Sequence, residues 1–100
     1  MSVKTKKRAL PEMKQVDRLI TNVVDTAVEG GNEPACRLAE KIHTQIKESG
    51  LKLSDRQVVA VEKGIARVVV EVRNAHKNGK DPRRESNFQD AVKELRNLLK

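Results

Sequence analysis

The chain has 100 residues, 37% of them hydrophobic and 35% charged, so it is long enough for one domain with a modest core and too apolar to be disordered by composition. Its 21 Lys and Arg outnumber 14 Asp and Glu for a net charge of +7, which favours anionic partners such as nucleic acid or acidic proteins. One cysteine, Cys36, excludes an intramolecular disulfide, and the lack of a long apolar run predicts a soluble, cytoplasmic protein with no membrane partner.

The first ten residues are basic and hold no acid. They predict a flexible basic arm over residues 1–10, ahead of a single helical domain over residues 11–100, because no buried-face pattern begins before residue 9. The cations of the arm are Lys4, Lys6, Lys7 and Arg8.

Two amphipathic helices follow, over residues 11–29 and 33–49. Gly30 and Gly31 separate them, and we expect the glycines to end the first helix in the left-handed conformation. The short connection predicts antiparallel packing. The apolar face of the first helix comprises Met13, Val16, Ile20, Val23, Val24 and Ala27, flanked by Leu19 and Val28, and that of the second Ala35, Leu38, Ala39, Ile42 and Ile46.

The third helix is predicted over residues 54–78 and is the longest. Ser54 and Gln57 fit a capping box at its start, and its main apolar face repeats at spacings of three and four. That face comprises Val58, Val61, Ile65, Val68, Val72 and Ala75. Residues 67–73 could alternate as a strand, but no second strand-like run exists to pair with them, so a helix is favoured.

The fourth helix is predicted to begin at Asp81 or Ser86, since both fit a cap and Ser86 with Gln89 repeats the capping-box pattern. Its face comprises Phe88, Ala91, Val92, Leu95, Leu98 and Leu99. The fold class predicted from these elements is all-α, a compact four-helix bundle with a long central third helix and a flexible basic N-terminal arm.

A second apolar series on the third helix, Val59, Ala66 and Val70, lies away from the main face. Two interpretations stay open. A neighbouring helix of the bundle covers the series, or it lies outside and binds a protein partner or a second copy.

No residue set predicts catalysis, a cofactor, a metal site or a small-molecule substrate, so an enzyme is not expected. His43 lies two helical turns from Cys36, about 10 Å along the axis, which is too far for a dyad within one helix. The Cys36 thiol is expected at the edge of the core, and the glycines form no phosphate-binding loop.

Three basic elements predict contact with nucleic-acid phosphates, which need positive donors but no fixed spacing. They are the arm, the strip Arg56, Lys63 and Arg67, and the loop Lys77, Lys80, Arg83 and Arg84. A DNA-reading helix-turn-helix over residues 38–65 is not favoured, because the connection is too long and the second helix begins with valines.

Two functional hypotheses follow. The first is a non-enzymatic accessory protein that associates with nucleic acid, or with the machinery that handles it, through phosphate contacts. The alternative is a protein-binding regulator or inhibitor, dimeric in one version, that uses Val59, Ala66 and Val70 against an acidic protein partner.

Overall fold

The computed structural model describes residues 10–100, with side chains from Glu12 onward. The predicted arm therefore lies outside the described residues, apart from Leu10, which is already helical. Four α-helices and one short 3-10 turn form the fold: α1 Leu10–Glu29, α2 Ala35–Glu48, α3 Asp55–Lys77, the turn Pro82–Arg84, and α4 Ser86–Leu99. The described part of the chain contains no strand, so the all-α, four-helix prediction is confirmed.

Consecutive helices run antiparallel. Gln15, early in α1, donates to the carbonyl of Ser49 just after α2, and the Nε2 of Gln57, early in α3, donates to the carbonyl of Leu98 at 3.2 Å. The Arg96 guanidinium lies 2.7 Å from the Asp17 carboxylate and so pairs the end of α4 with the start of α1. The third helix packs against α4 and α2 and also touches α1, as expected of the central helix.

The core is aliphatic apart from Phe88. Its residues come from all four helices: Val16, Leu19, Ile20, Val23, Ala27, Leu38, Ile42, Ile46, Val61, Ile65, Val68, Val69, Val72, Phe88, Ala91, Leu95 and Leu99. Most were predicted, but Val69 was not, and it is only 3% exposed because it turns toward the core beside Val68 and Val72. Ala35 and Val58, predicted in the apolar faces, are exposed near helix starts.

The start of α3 is capped as predicted. The Ser54 hydroxyl accepts from the Gln57 backbone N–H at 3.2 Å, and the Gln57 side chain accepts from the Ser54 backbone N–H at 2.9 Å. These two bonds satisfy donors that a helix start leaves unpaired.

Helix α4 begins at Ser86, one of the two predicted starts, but it is not capped as predicted. Glu85 occupies the N-cap position without a side-chain cap hydrogen bond, so the Ser86–Gln89 capping box is wrong. Asp81 caps the separate 3-10 turn instead, accepting from the Arg83 backbone N–H at 3.0 Å. Both predicted caps, Asp81 and Ser86, therefore lie close to the start of a helical element. Only Asp81 acts as a cap, and it caps the 3-10 turn and not α4.

The predicted end of α1 at residue 29 is confirmed, but the predicted left-handed conformation of the glycines that follow it is wrong. Among the described residues only Gly50 and Gly79 have a positive φ, so Gly30 and Gly31 do not adopt the left-handed conformation. Instead both are buried where other side chains approach closely. A Cβ on Gly31 would overlap the His76 ring, and one on Gly30 would lie 2.8 Å from a methyl of Leu38.

Helix α3 also contains a glycine that packs against α4. A Cβ on Gly64 would lie 3.2 Å from the Leu95 Cδ1 and 3.3 Å from the Leu98 Cδ1. The absence of a side chain at Gly64 allows α3 and α4 to approach each other closely.

Within residues 10–100, each helix is either too short or too polar to cross a bilayer.

Candidate functional site

The alternating helix directions give the bundle two ends of different charge. Each helix is divided at its middle. The arm half of the bundle comprises the helix segments at the end where α1 begins, together with the connection 49–54. The loop half comprises the segments at the opposite end, together with the connections 30–34 and 78–85. The arm joins the chain at Leu10 and therefore at the arm half. The predicted loop cations lie at the other end.

The loop half is electroneutral, with eight cations and eight acids. Its cations are Arg37, Lys41, Arg67, Arg73, Lys77, Lys80, Arg83 and Arg84. Its acids are Asp25, Glu29, Glu33, Glu40, Glu71, Asp81, Glu85 and Asp90. The excess of positive charge in the chain therefore does not lie in this half.

The arm half carries nine cations and six acids, even before the four cations of the arm are added. The cations are Lys14, Arg18, Lys47, Lys52, Arg56, Lys63, Lys93, Arg96 and Lys100. The acids are Glu12, Asp17, Glu48, Asp55, Glu62 and Glu94. The whole net charge of +7 thus belongs to residues 1–10 and to the half of the bundle that contains the start of α1.

Several predicted phosphate-binding cations have acidic neighbours. Arg83 lies 2.8 Å from the Asp25 carboxylate, and the Lys80 ammonium lies 4.0 Å from that of Glu85. These pairs are about half exposed, so each contributes only about 0–1 kcal/mol and can open to solvent. They nevertheless lower the local positive potential that would attract a phosphate.

The strip cations of α3 differ from one another. Arg67 lies 2.6 Å from the Glu94 carboxylate of α4. Within the described residues, no acid lies within ion-pairing distance of Arg56 or Lys63, nor of Lys77 or Arg84 in the loop half. Among the described residues, the predicted cations therefore divide into three that face an acid, Arg67, Lys80 and Arg83, and four that do not, Arg56, Lys63, Lys77 and Arg84.

The second apolar series of α3 is on the surface. Val59 is 55% exposed and Val70 52%, and Ala66 between them is also exposed. Lys63 shares this side of the helix, and we call Val59, Lys63, Ala66 and Val70 the outer strip. Of the two interpretations left open by the sequence, coverage by a neighbouring helix is wrong, because the other three helices lie on the opposite side of α3.

A surface groove of about 580 Å³ between α2 and α3 contains the side chains that the sequence offers for chemistry. Cys36 and His43 of α2 line it together with Glu62 of α3. The Cys36 thiol is exposed, which corrects its predicted place at the edge of the core. In the described part of the chain, no three His, Cys, Asp or Glu side chains are arranged to hold a metal ion.

The second histidine is used structurally. The His76 ring lies over Gly31, and its Nε2 is 3.3 Å from the carbonyl oxygen of Val28. Nearby, the Arg73 guanidinium donates to the carbonyl of Glu33. These two α3 side chains hold the turn between α1 and α2 against the third helix.

Sequence reasoning missed the cations that give the arm half its charge, chiefly Lys14, Arg18, Lys52 and Lys100. These four cations are far apart in the sequence, so they form no cluster that can be recognised along the chain. Antiparallel order brings together the start of one helix and the end of the next, so summing charge over alternating helix halves would have found this surface.

No protein-family model, curated protein or solved structure matches this chain.

Proposed function

We propose that this chain is a non-enzymatic, basic accessory protein of the cytoplasm that contacts nucleic-acid phosphates through its arm and the arm half of the bundle. The observation that supports the proposal is the charge asymmetry: the arm and the adjoining half hold the full excess of positive charge, and the loop half is neutral. Such an asymmetry orients a polyanion toward one end of the molecule and speeds its encounter.

The kind of contact follows from the side chains on offer. Phe88 is the only Phe, Tyr or Trp of the sequence and is 2% exposed, so none of these three side chains is available to stack on unpaired bases. Lys and Arg on an arm and on helix surfaces bind phosphate oxygens without reading bases. We therefore expect binding with little sequence preference. The loop cations Lys77, Lys80, Arg83 and Arg84 contribute less in this proposal, because Lys80 and Arg83 have acidic neighbours and the loop half as a whole is electroneutral.

A salt titration of the full chain tests the proposal. Fluorescence anisotropy with a labelled duplex should show an affinity that falls about a hundredfold between about 50 and 200 mM salt, if four phosphates are contacted. Affinity that does not change with salt would contradict phosphate contact, and so would the absence of binding at the lowest salt concentration.

Two matched variants locate the contact, because each removes four positive charges by substitution with glutamine. The arm variant changes Lys4, Lys6, Lys7 and Arg8. The loop variant changes Lys77, Lys80, Arg83 and Arg84. We expect the arm variant to lose most of the affinity and the salt dependence, and the loop variant to retain most of both. Equal losses would show that net charge alone matters, and not its location.

A second candidate function is favoured by the exposed outer strip: a regulator or inhibitor that binds an acidic protein partner. An apolar strip that includes a lysine suits a partner with an apolar ridge and nearby carboxylates. Capture of partners from lysate with and without nuclease separates the two functions. Partners lost after nuclease treatment support the first, and partners that are retained support the second.

A further inference from the structure

The outer strip has the spacing of a helix-pairing seam. Val59, Lys63, Ala66 and Val70 are separated by four, three and four residues, the pattern with which one helix packs along another. The two valines are more than half exposed and lie eleven residues apart, about 16 Å along the helix axis. An apolar line of this length matches a second helix better than a compact pocket or a ligand.

The strip is complementary to a reversed copy of itself. Val59 and Val70 are equidistant from a point between Gly64 and Ile65, and Lys63 and Ala66 share the same midpoint. A second α3 running in the opposite direction therefore places each valine of one copy against the other valine of its partner, and each lysine stem against an alanine. The small alanine side chain leaves room for the aliphatic part of the lysine.

Charge at the border of the strip follows the same symmetry. Asp55 and Arg73 are eighteen residues apart, about five full turns, so they lie on the same border of the strip at opposite ends of α3. Their midpoint is Gly64, within half a residue of that of the valines. In the reversed pairing, Asp55 of each copy faces Arg73 of the other. Arg73 donates to the Glu33 carbonyl but has further donors available.

A parallel pairing in register does not fit. It would place Lys63 against Lys63 at the centre of the seam, and it would bring the two Arg73 side chains to the same end. Both contacts join like charges and oppose association. The distribution of charge along α3 thus selects the antiparallel arrangement.

We propose that the outer strip of α3 binds the same strip of a second copy, forming an antiparallel homodimer whose two-fold axis passes between Lys63 and Ala66. The inference is independent of nucleic-acid contact, and it names a different occupant of the strip from the acidic partner considered above. The seam is narrow, and each copy carries a charge of +7, so the dimer belongs to the weak, concentration-dependent class.

Sedimentation of the full chain over a wide range of concentration tests the proposal. We expect a monomer–dimer equilibrium in which Val70→Glu raises the dissociation constant about tenfold or more. Asn97→Glu is the matched control, because Asn97 is exposed on α4 and gains the same charge. It should leave the equilibrium unchanged. Circular dichroism should show equal helical content for all three proteins.

A charge exchange tests the direction of the helices. Asp55→Arg and Arg73→Asp should each weaken the dimer, because each places like charges together across the seam, and the double variant should restore it. A full chain that stays monomeric at every concentration would overturn the proposal. It would do so even if Val70→Glu disrupts the capture of some other protein, because the strip would then bind that protein and not a second copy. A dimer that persists in Val70→Glu, or a double variant weaker than either single one, would also overturn it.

Discussion

Val69 and Val70 are neighbours in the chain with opposite surroundings. Val69 is 3% exposed and packs in the core, whereas Val70 is 52% exposed on the outer strip. The same contrast divides the whole of α3 into an inner face that holds the bundle together and an outer face that is exposed in the described part of the chain. Valine content alone therefore indicates neither stability nor function. The position of a valine around the helix axis decides whether it packs in the core or is exposed on the outer strip.

The largest effect is expected from a charge on the inner face. Ile65 is 2% exposed, and Ile65→Asp would bury a carboxylate without a partner, which costs several kcal/mol and should unfold the domain. Circular dichroism measures the loss of helix. A folded variant with near-native thermal stability would show that Ile65 does not lie in the core.

A smaller effect is expected where α3 and α4 touch. Gly64→Leu forces a large side chain against Leu95 and Leu98 and should lower the free energy of unfolding by about 1–3 kcal/mol. Urea denaturation measures the change. Ala66→Leu is the control, since Ala66 is exposed two residues away and its substitution should not reduce stability. Equal destabilisation by both would contradict the division into two faces.

The cap of α3 should contribute less again. Ser54→Ala removes the bond to the Gln57 backbone and should cost about 1 kcal/mol in thermal or urea unfolding. Ser86→Ala provides the comparison, because Ser86 is the first residue of α4 and does not occupy its N-cap position. We expect almost no change from it. A larger loss at Ser86 than at Ser54 would reverse the assignment of the two helix starts.

Much of this fold could be predicted from the sequence because local signals agreed. The capping box at Ser54 and the periodic valines agreed, and α3 lies within one residue of its predicted bounds, 54–78, at each end. The cap of α4 could not be predicted from local signals, because Asp81 and Ser86 both fit one. The choice depends on the turn Pro82–Arg84, which is tied to α1 through the contact between Arg83 and Asp25.

The candidate site was less predictable, since it depends on how the helices are arranged. Whether Val59 and Val70 are covered depends on which sides of α3 the other helices occupy, and spacing within one helix does not contain that information. The ion pairs have the same origin. Arg83 and Asp25 are 58 residues apart, and Arg67 and Glu94 are 27 apart, so tertiary structure alone brings them together.

One paired measurement tests the division of α3 most directly: urea unfolding of Val69→Glu and Val70→Glu under identical conditions. The two variants gain the same charge at adjacent positions. We expect Val69→Glu to lose several kcal/mol or fail to fold, because it buries an unpaired carboxylate. Val70→Glu should stay within about 0.5 kcal/mol of the parent chain, as exposed substitutions do. Similar losses in both, or a larger loss at Val70, would contradict the account.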